Sequence, residues 1–157
     1  MIEVSKEAGE RKMDIGFIGL GKMGLNMALN VHEQGWPIIG FDVTKEARAT
    51  AREQGLSVVD SLSELLKALK KRKVIFLSTP AGQITNQLVA ELVEQLAPED
   101  IIVDSGNSNF HDSVANAQFA KEKGIYFIDC FDIIERLFLG NRNVNGIVES
   151  FSCSAKG

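Results

Sequence analysis

The chain has 157 residues, 17 basic and 21 acidic, with a formal net charge of −4 and 45% hydrophobic residues. This length suits about one globular domain. The negative charge disfavours nucleic acid and anionic membranes as main partners, and no apolar run approaches the roughly 20 residues that span a bilayer. The N-terminus lacks the apolar stretch of a signal peptide. The two cysteines match no metal-binding spacing, so we expect a reduced, cytoplasmic protein without a metal site.

From Asp14 to Asp129, short apolar runs alternate with segments of helical spacing. Strands are predicted at 14–19, 37–41, 73–78, 100–105 and 124–129. Helices are predicted after the first strand, at 45–54, after Ser61, at 83–96 and at 111–123. Short links between such elements indicate right-handed βαβ units. The predicted fold class is therefore α/β, a single domain with a doubly wound, Rossmann-type parallel sheet.

The first helix carries an apolar stripe at four-residue spacing. Met23, Met27 and Val31 form this stripe, which predicts one face packed on the sheet. Gly35 is the expected position just past the helix end, because glycine adopts the left-handed conformation found there.

Polar residues mark the starts of the later helices. Thr44 is the predicted N-cap of the helix at 45–54, and Gly55 is expected to close that helix. Ser61 and Glu64 have the S-x-x-E spacing of a capping box. If residues 79–82 are a plain strand-to-helix turn, Pro80 is expected near the first position of the helix at 83–96, where its missing N–H costs nothing.

The candidate site follows from the sheet, because ligands of open parallel sheets bind at the carboxyl ends of the strands. Four segments follow predicted strands and carry glycine or polar residues. They are 19–24, Asp42, 79–82 and 105–109.

The first of these segments reads GLGKMG and has the G-x-G-x-x-G spacing between a strand and a helix. In that context Gly19 permits a tight turn, Gly21 lets the backbone approach a pyrophosphate, and Gly24 lets helix and strand pack closely. The amides and dipole at the helix start then attract phosphate. The alternative is a glycine bend that binds no ligand.

Asp42 ends the second strand, 18 residues after Gly24. An acid at this place accepts hydrogen bonds from the ribose hydroxyls of NAD and would repel the 2′-phosphate of NADP. Asp42 could instead serve only as an acid near a helix start. Lys45 could reach a phosphate, so NADP stays open as the less favoured cofactor.

Four segments resemble the N-terminal domain of 6-phosphogluconate dehydrogenase, of the NAD-preferring bacterial type, within the 3-hydroxyacid dehydrogenase superfamily. They read GFIGLGKMGLNMA, FDVT, STPAGQITNQL and DSGNSNFHDS. The resemblance covers about residues 13–130, and DSGNSN at 104–109 is its most specific piece. It implies an NAD(P)-binding domain at 13–130. Residues 1–12 are polar, and we expect them to form a disordered extension. Met13 is a second candidate for the true start.

The resemblance also implies roles for individual residues. The pyrophosphate would lie on the turn formed by Gly19, Leu20, Gly21, Lys22, Met23 and Gly24. The adenosine ribose would be flanked by Asp42, Val43 and Thr44, and the nicotinamide half would pass Thr79, Pro80 and Ala81. Asn107 would touch both the cofactor and a sugar-phosphate substrate, since an amide can donate and accept. Asn107 could instead cap a local turn, and the segment at 79–82 could be a plain strand-to-helix turn.

Residues 131–157 depart from the family pattern. The Ser-Gly-Gly motif that the family has shortly after its own sixth strand is missing after Asp129, and so is the helical domain on or beside which the family's catalytic lysine and glutamate lie. We expect a divergent or truncated tail, from a shifted reading frame or from genuine divergence. No catalytic residue is assigned. His111 is predicted in the first turn of a helix, and Cys130 is expected to be a buried thiol.

The resemblance implies oxidative decarboxylation of 6-phosphogluconate to ribulose 5-phosphate in the pentose phosphate pathway, by an enzyme that dimerises largely through its helical domain. This reaction needs a base and an acid, which residues 1–130 do not offer. We therefore expect the cofactor-binding part of such an enzyme, inactive alone. The alternatives are a stand-alone NAD-binding module and a fragment of another 3-hydroxyacid dehydrogenase, such as 3-hydroxyisobutyrate dehydrogenase.

Overall fold

The computed structural model describes residues 14–70, 72–80, 82–106 and 110–129. Within these ranges, strands and helices alternate along the chain. They are β1 (Ile15–Ile18), α1 (Lys22–Glu33), β2 (Ile38–Phe41), α2 (Lys45–Glu53), β3 (Ser57–Val58), α3 (Leu62–Ala68), β4 (Val74–Leu77), α4 (Gln83–Gln95), β5 (Ile101–Asp104), α5 (Phe110–Glu122) and β6 (Tyr126–Asp129). The predicted N-terminal extension at 1–12 and the predicted tail at 131–157 lie outside the described residues.

All strands pair in parallel, in the order β3-β2-β1-β4-β5-β6. Ile15 of β1 is in register with Ile38 on one side and Val74 on the other. The chain builds outward from β1 in one direction and then, from β4, in the other. Such a reversal opens a crevice at the carboxyl ends of the central strands. The predicted doubly wound α/β fold is confirmed.

Successive residues of each central strand bury themselves on opposite faces of the sheet. Val74 and Phe76 belong to the core beneath α1 and α2, whereas Ile75 and Leu77 belong to the core beneath α3, α4 and α5. The Phe17 and Phe76 rings stack with centroids 4.9 Å apart. This two-sided burial explains why the strands read as continuous apolar runs. None of the helices in the described ranges has the length and apolar character needed to cross a bilayer.

The sequence pattern missed β3, a two-residue strand at the edge of the sheet. Its residues pair with Ile39 and Gly40 of β2. Ser57 is exposed and Val58 half-buried, so two residues offer no alternation that a sequence pattern could reveal.

The predicted apolar stripe of α1 is wrong at Met23. The buried residues of this helix are Gly24, Met27, Ala28 and Val31, while Met23 is 49% exposed. Since α1 begins at Lys22, Met23 lies in its first turn, and its side chain lines a cleft rather than packing on the sheet.

The helix ends are mostly where the sequence predicts them. Gly35 and Gly55 follow α1 and α2 with positive φ angles of 90° and 98°, as expected past a helix end. Thr44 occupies the N-cap position of α2, but its hydroxyl caps no amide. Instead, the carboxylate of Asp42 accepts a hydrogen bond from the Thr44 N–H at 2.8 Å.

Two other start signals differ in detail. Ser61 Oγ accepts from the Glu64 N–H at 3.1 Å, but Glu64 Oε2 accepts from the Asp60 N–H at 2.9 Å rather than from Ser61. The capping box is therefore shifted by one residue on its return bond. Pro80 is not at the first helical position, because α4 has Gly82 as its N-cap and begins at Gln83.

Candidate functional site

A cleft of about 730 Å³ opens at the carboxyl ends of β1, β2 and β4. Its walls are the three turns that lead into α1, α2 and α4. Of the predicted site residues, it is lined by Gly19, Gly21, Lys22, Met23, Gly24, Asp42, Val43, Thr44, Thr79 and Pro80. The Leu20 side chain is buried in the core instead, and Ala81 and Asn107 lie outside the described residues. The structure thus brings the three predicted segments together around one cavity.

Two glycines of the β1–α1 turn are required by the packing of the protein itself. Gly19 has a φ angle of +101°, and a Cβ at this position would overlap the carbonyl oxygen of Ser78 on the neighbouring strand end. A Cβ on Gly24 would overlap the carbonyl oxygen of Gly19. These positions hold the turn, β4 and α1 closer together than any side chain would allow.

Gly21 differs from both. Its φ angle is −69°, which any residue can adopt. Apart from its two chain neighbours, no described residue has an atom within 4 Å of an added Cβ. Gly21 is the N-cap of α1, which has no side-chain cap and no acidic residue in its first turn. Its neighbours in the fold therefore do not require a glycine here, and the space beside it belongs to the cleft.

The Asp42 carboxylate joins two of the three turns. Its Oδ2 accepts from the Leu20 N–H at 2.7 Å, and its Oδ1 accepts from the Thr44 N–H at 2.8 Å. The side chain is thereby oriented, yet each carboxylate oxygen has a second lone pair and can accept a further hydrogen bond. Because Asp42 lines the cleft and is only half-buried, a ligand hydroxyl can reach those lone pairs.

Arg48 holds the main chain of the same turn from behind. Its Nη1 donates to the carbonyl oxygens of Asp42 at 2.9 Å and Val43 at 3.2 Å. Its Nε lies 3.2 Å from Asp60 Oδ1, which also accepts from Arg52 Nη2 at 2.8 Å. The Arg52 hydrogen bond, followed by the charges of both arginines, lowers the pKa of Asp60 from its ordinary value despite slight desolvation.

A buried hydroxyl shapes the third turn. Thr85 is fully buried, and its Oγ1 lies 2.6 Å from the Pro80 carbonyl oxygen and 2.8 Å from Thr79 Oγ1. The next loop approaches the same turn, because a Cβ on Gly106 would lie 2.8 Å from the Thr79 carbonyl oxygen. The segment that leads to the predicted substrate contact Asn107 therefore reaches this wall of the cleft.

Sequence reasoning missed the wall that α4 contributes. Ile84, Gln87, Leu88 and Glu91 line the cleft, and their spacing of three and four residues places them on one helical face. The sequence predicted a helix at 83–96, but nothing in its pattern assigned any of these residues to the site. Three strand-end residues were also missed, namely Ile18, Phe41 and Ser78.

His111 lies in the first turn of α5, as predicted, and does not line the cleft. In the ranges that the structure describes, no three side chains of His, Cys, Asp or Glu are grouped as metal ligands.

Comparison with known proteins matches residues 14–130 to the family described as the NAD binding domain of 6-phosphogluconate dehydrogenase. The NAD(+)-dependent, decarboxylating 6-phosphogluconate dehydrogenase of Haloferax volcanii is 35% identical over 118 residues, covering 75% of this chain and 38% of that protein. The human decarboxylating enzyme is 38% identical over 120 residues, covering 73% of this chain and 25% of that protein. The chain thus spans well under half the length of these relatives.

Solved structures show the same fold. Plasmodium falciparum 6-phosphogluconate dehydrogenase superposes with a TM-score of 0.65 at 30% identity, covering 73% of this chain and 26% of that one. Mycobacterium tuberculosis 3-hydroxyisobutyrate dehydrogenase superposes with a TM-score of 0.68 at 24% identity, covering 74% of this chain and 39% of that one. The family model covers most of the chain, and the sequence relatives agree with it. The chain belongs to the family of NAD-binding domains of 6-phosphogluconate dehydrogenase.

Proposed function

We propose that the cleft binds NAD and that this chain is the cofactor-binding part of a decarboxylating 6-phosphogluconate dehydrogenase. The nicotinamide cofactor supplies the hydride acceptor for oxidation of the sugar phosphate. The chain's own residues bind and orient that cofactor. No residue of the chain is assigned as the base or acid of the reaction, so we expect no turnover from this chain by itself.

The geometry of Gly21 carries this proposal. A glycine that its neighbours in the fold do not require, at an uncapped helix start inside a cleft, fits a ligand that touches the backbone. The first amides of a helix lack intrahelical partners and attract anions. Lys22 beside them adds a positive charge that favours a pyrophosphate. The Gly19–Gly24 turn, including the Leu20 backbone, is thus the proposed pyrophosphate site.

The adenosine half would extend from this turn toward the end of β2. Val43 is 84% exposed and Ile84 is 57% exposed, and both line the cleft. Exposed apolar side chains that line a cleft suit the flat face of an adenine base. Asp42 would then accept from the ribose hydroxyls, with Val43 and Thr44 flanking the sugar.

The choice of NAD over NADP rests on Asp42. A carboxylate next to the ribose repels a 2′-phosphate, and Lys45 is not among the residues that line the cleft. The names of the relatives differ in the cofactor that they give. The Haloferax enzyme is called NAD(+)-dependent, and the Plasmodium structure is described in complex with NADP+.

The nicotinamide half would pass Thr79, Pro80 and Ala81 and approach Asn107, which we propose contacts both the cofactor and the sugar phosphate. The resemblance implies that further substrate and dimer contacts lie outside the part of the family that this chain matches. We propose the same assembly, a cytoplasmic homodimer, for the complete enzyme to which this sequence corresponds.

The proposal is tested by fluorescence titration of the purified chain with NADH and NADPH in parallel. We expect saturable binding that is tighter for NADH. Tighter NADPH binding would contradict the role of Asp42 and indicate that Lys45 determines the cofactor preference. Binding of neither dinucleotide would contradict the proposed cofactor site. Protection of the NADH complex from proteolysis by 6-phosphogluconate, but not by 3-hydroxyisobutyrate, is expected. The reverse pattern would favour a 3-hydroxyisobutyrate dehydrogenase.

A further inference from the structure

We propose that Arg48 is a positioning residue that sets cofactor selectivity by fixing the main chain of Asp42. The inference rests on the proposed function, because it assigns a second residue to the same dinucleotide cleft. Arg48 does not line that cleft, so it would act only through the turn that it holds.

Arg48 fixes the main chain of Asp42 and Val43 through its hydrogen bonds, and we call this arrangement the Arg48 clamp. Its side chain is 15% exposed, and one nitrogen, Nη1, donates to two successive carbonyl oxygens, those of Asp42 at 2.9 Å and Val43 at 3.2 Å. A planar guanidinium presents several donors in a fixed geometry. A lysine ammonium, on a flexible stem, does not reproduce that arrangement.

The turn is also held from the side of the cleft. The carboxylate of Asp42 accepts from the Leu20 N–H at 2.7 Å and from the Thr44 N–H at 2.8 Å. Main chain and side chain of Asp42 are therefore fixed by separate groups. A carboxylate held in this way meets a ribose without losing further conformational freedom, which favours binding.

Asp60 anchors the clamp and also supplies a control. Its Oδ1 lies 3.2 Å from Arg48 Nε and 2.8 Å from Arg52 Nη2. Arg52 also donates to the Val58 carbonyl at 3.1 Å, and no hydrogen bond from it to the Asp42–Val43 turn exists among the described residues. Arg48 and Arg52 thus share a helix, a charge and a carboxylate partner, but only Arg48 holds the turn.

The matched variants are Arg48→Met and Arg52→Met. Each removes one positive charge beside Asp60, but only Arg48 contacts the Asp42–Val43 turn, so Arg48→Lys serves as a third variant that keeps the charge. We expect Arg48→Met to raise the Kd for NADH about fivefold relative to Arg52→Met, the effect of roughly one lost hydrogen bond. In Arg48→Lys, the Kd for NADPH should change less than the Kd for NADH, because the positive charge is kept while the hold on the turn is lost. Equal NADH affinities in the two variants would overturn the proposal.

A double-mutant cycle tests the route through Asp42. In an Asp42→Ala background, Arg48→Met should have no further effect on NADH affinity, because there is no carboxylate left to position. A full fivefold loss in that background would mean that Arg48 acts by another route. If Arg48→Met lacks a cooperative thermal melt, Arg48→Lys replaces it and is expected to show the same NADH loss, although it keeps the charge.

A final measurement needs no cofactor. Amide hydrogen exchange at Leu20 and Thr44 should be faster in Arg48→Met than in Arg52→Met, since both amides donate to the Asp42 carboxylate. If the wild-type chain bound neither dinucleotide, the proposed function would fail while this comparison still reported on the clamp. Unchanged exchange in Arg48→Met would overturn the positioning role.

Discussion

Helices α1 and α3 begin at the same edge of the sheet but differ in the hydrogen-bond partners of their first amide groups. At the start of α3, Ser61 Oγ accepts from the Glu64 N–H, and Glu64 Oε2 accepts from the Asp60 N–H. At the start of α1, Gly21 offers no side chain, and the first turn holds no acid. The first amides of any helix need partners. At α3 the protein provides side-chain partners, whereas α1 has no side-chain cap and its first residues line the cleft.

This difference distinguishes residues that the packing of the protein requires from residues that ligand binding requires. Gly19 and Gly24 are needed because the backbone approaches too closely for a Cβ, whereas Gly21 has room for one. A glycine motif therefore contains two kinds of position. Substitutions within the β1–α1 turn and at the α3 start can distinguish them, because stability and dinucleotide affinity should respond independently.

The largest effect is expected for Gly19→Ala. The new Cβ would overlap the Ser78 carbonyl oxygen at a residue with a φ angle of +101°. Strained backbone and overpacking together should cost about 3–5 kcal/mol of unfolding free energy. Denaturant unfolding followed by circular dichroism measures this loss.

Gly55→Ala is the matched control for Gly19→Ala. Gly55 has a similar φ angle, +98°, but no described residue other than its chain neighbours comes within 4 Å of an added Cβ. It should show the backbone cost alone, about 1–2 kcal/mol. If Gly19→Ala cost no more than Gly55→Ala, the close approach of the β1–α1 turn to β4 would not constrain the sequence.

The next effect is expected for Gly21→Ala, in binding rather than in stability. A methyl group in the cleft would stand where a pyrophosphate approaches the backbone, so NADH affinity should fall at least tenfold. Unfolding free energy should stay within about 1 kcal/mol of wild type, since a weaker N-cap and a stiffer unfolded chain act in opposite directions. Full NADH affinity in this variant would mean that the motif is a bend without a ligand.

Local patterns were enough to predict most of the fold. Apolar runs such as residues 74–77 are buried on both faces and stand out from the polar turns around them. The spacing of Gly19, Gly21 and Gly24 and the distance to Asp42 predicted which turns would meet. These features depend on the chain's neighbours in sequence and on the general handedness of βαβ units.

Features that depend on distant contacts were not predictable in this way. The Asp42 carboxylate reaches the Leu20 amide across 22 positions, and Arg48 reaches Asp60 across 12. A sequence pattern shows that a helix has a charged face, but it does not show which carbonyl oxygens the charged side chains will bind. Thr44 illustrates the same limit: its N-cap position was predicted, but Asp42 rather than its own hydroxyl provides the local hydrogen bond.

Asp42→Ala should have a smaller effect than Gly21→Ala on affinity but a larger one on selectivity. Loss of the ribose acceptor should weaken NADH binding about tenfold, close to the lower limit for a hydrogen bond to a charged group. Loss of the charge should bring NADPH affinity toward that of NADH. Parallel titrations measure both. Asp42→Asn, which keeps one acceptor oxygen, should relax selectivity with a smaller NADH loss. Unchanged NADH affinity in Asp42→Ala would remove Asp42 from the site.

The smallest effect is expected for Ser61→Ala, at the other helix start. Loss of the hydroxyl that accepts from Glu64 should cost about 1 kcal/mol of unfolding free energy, measured by denaturant unfolding. NADH affinity should not change, although Asp60 next to Ser61 anchors Arg48. The Asp60 N–H donates to Glu64 Oε2 and not to Ser61. Removal of the Ser61 hydroxyl should therefore destabilise α3 without moving Asp60 or Arg48. A matching loss of NADH affinity would show that the starts of α1 and α3 are coupled through Asp60. It would contradict the conclusion that stability and dinucleotide affinity depend on different residues.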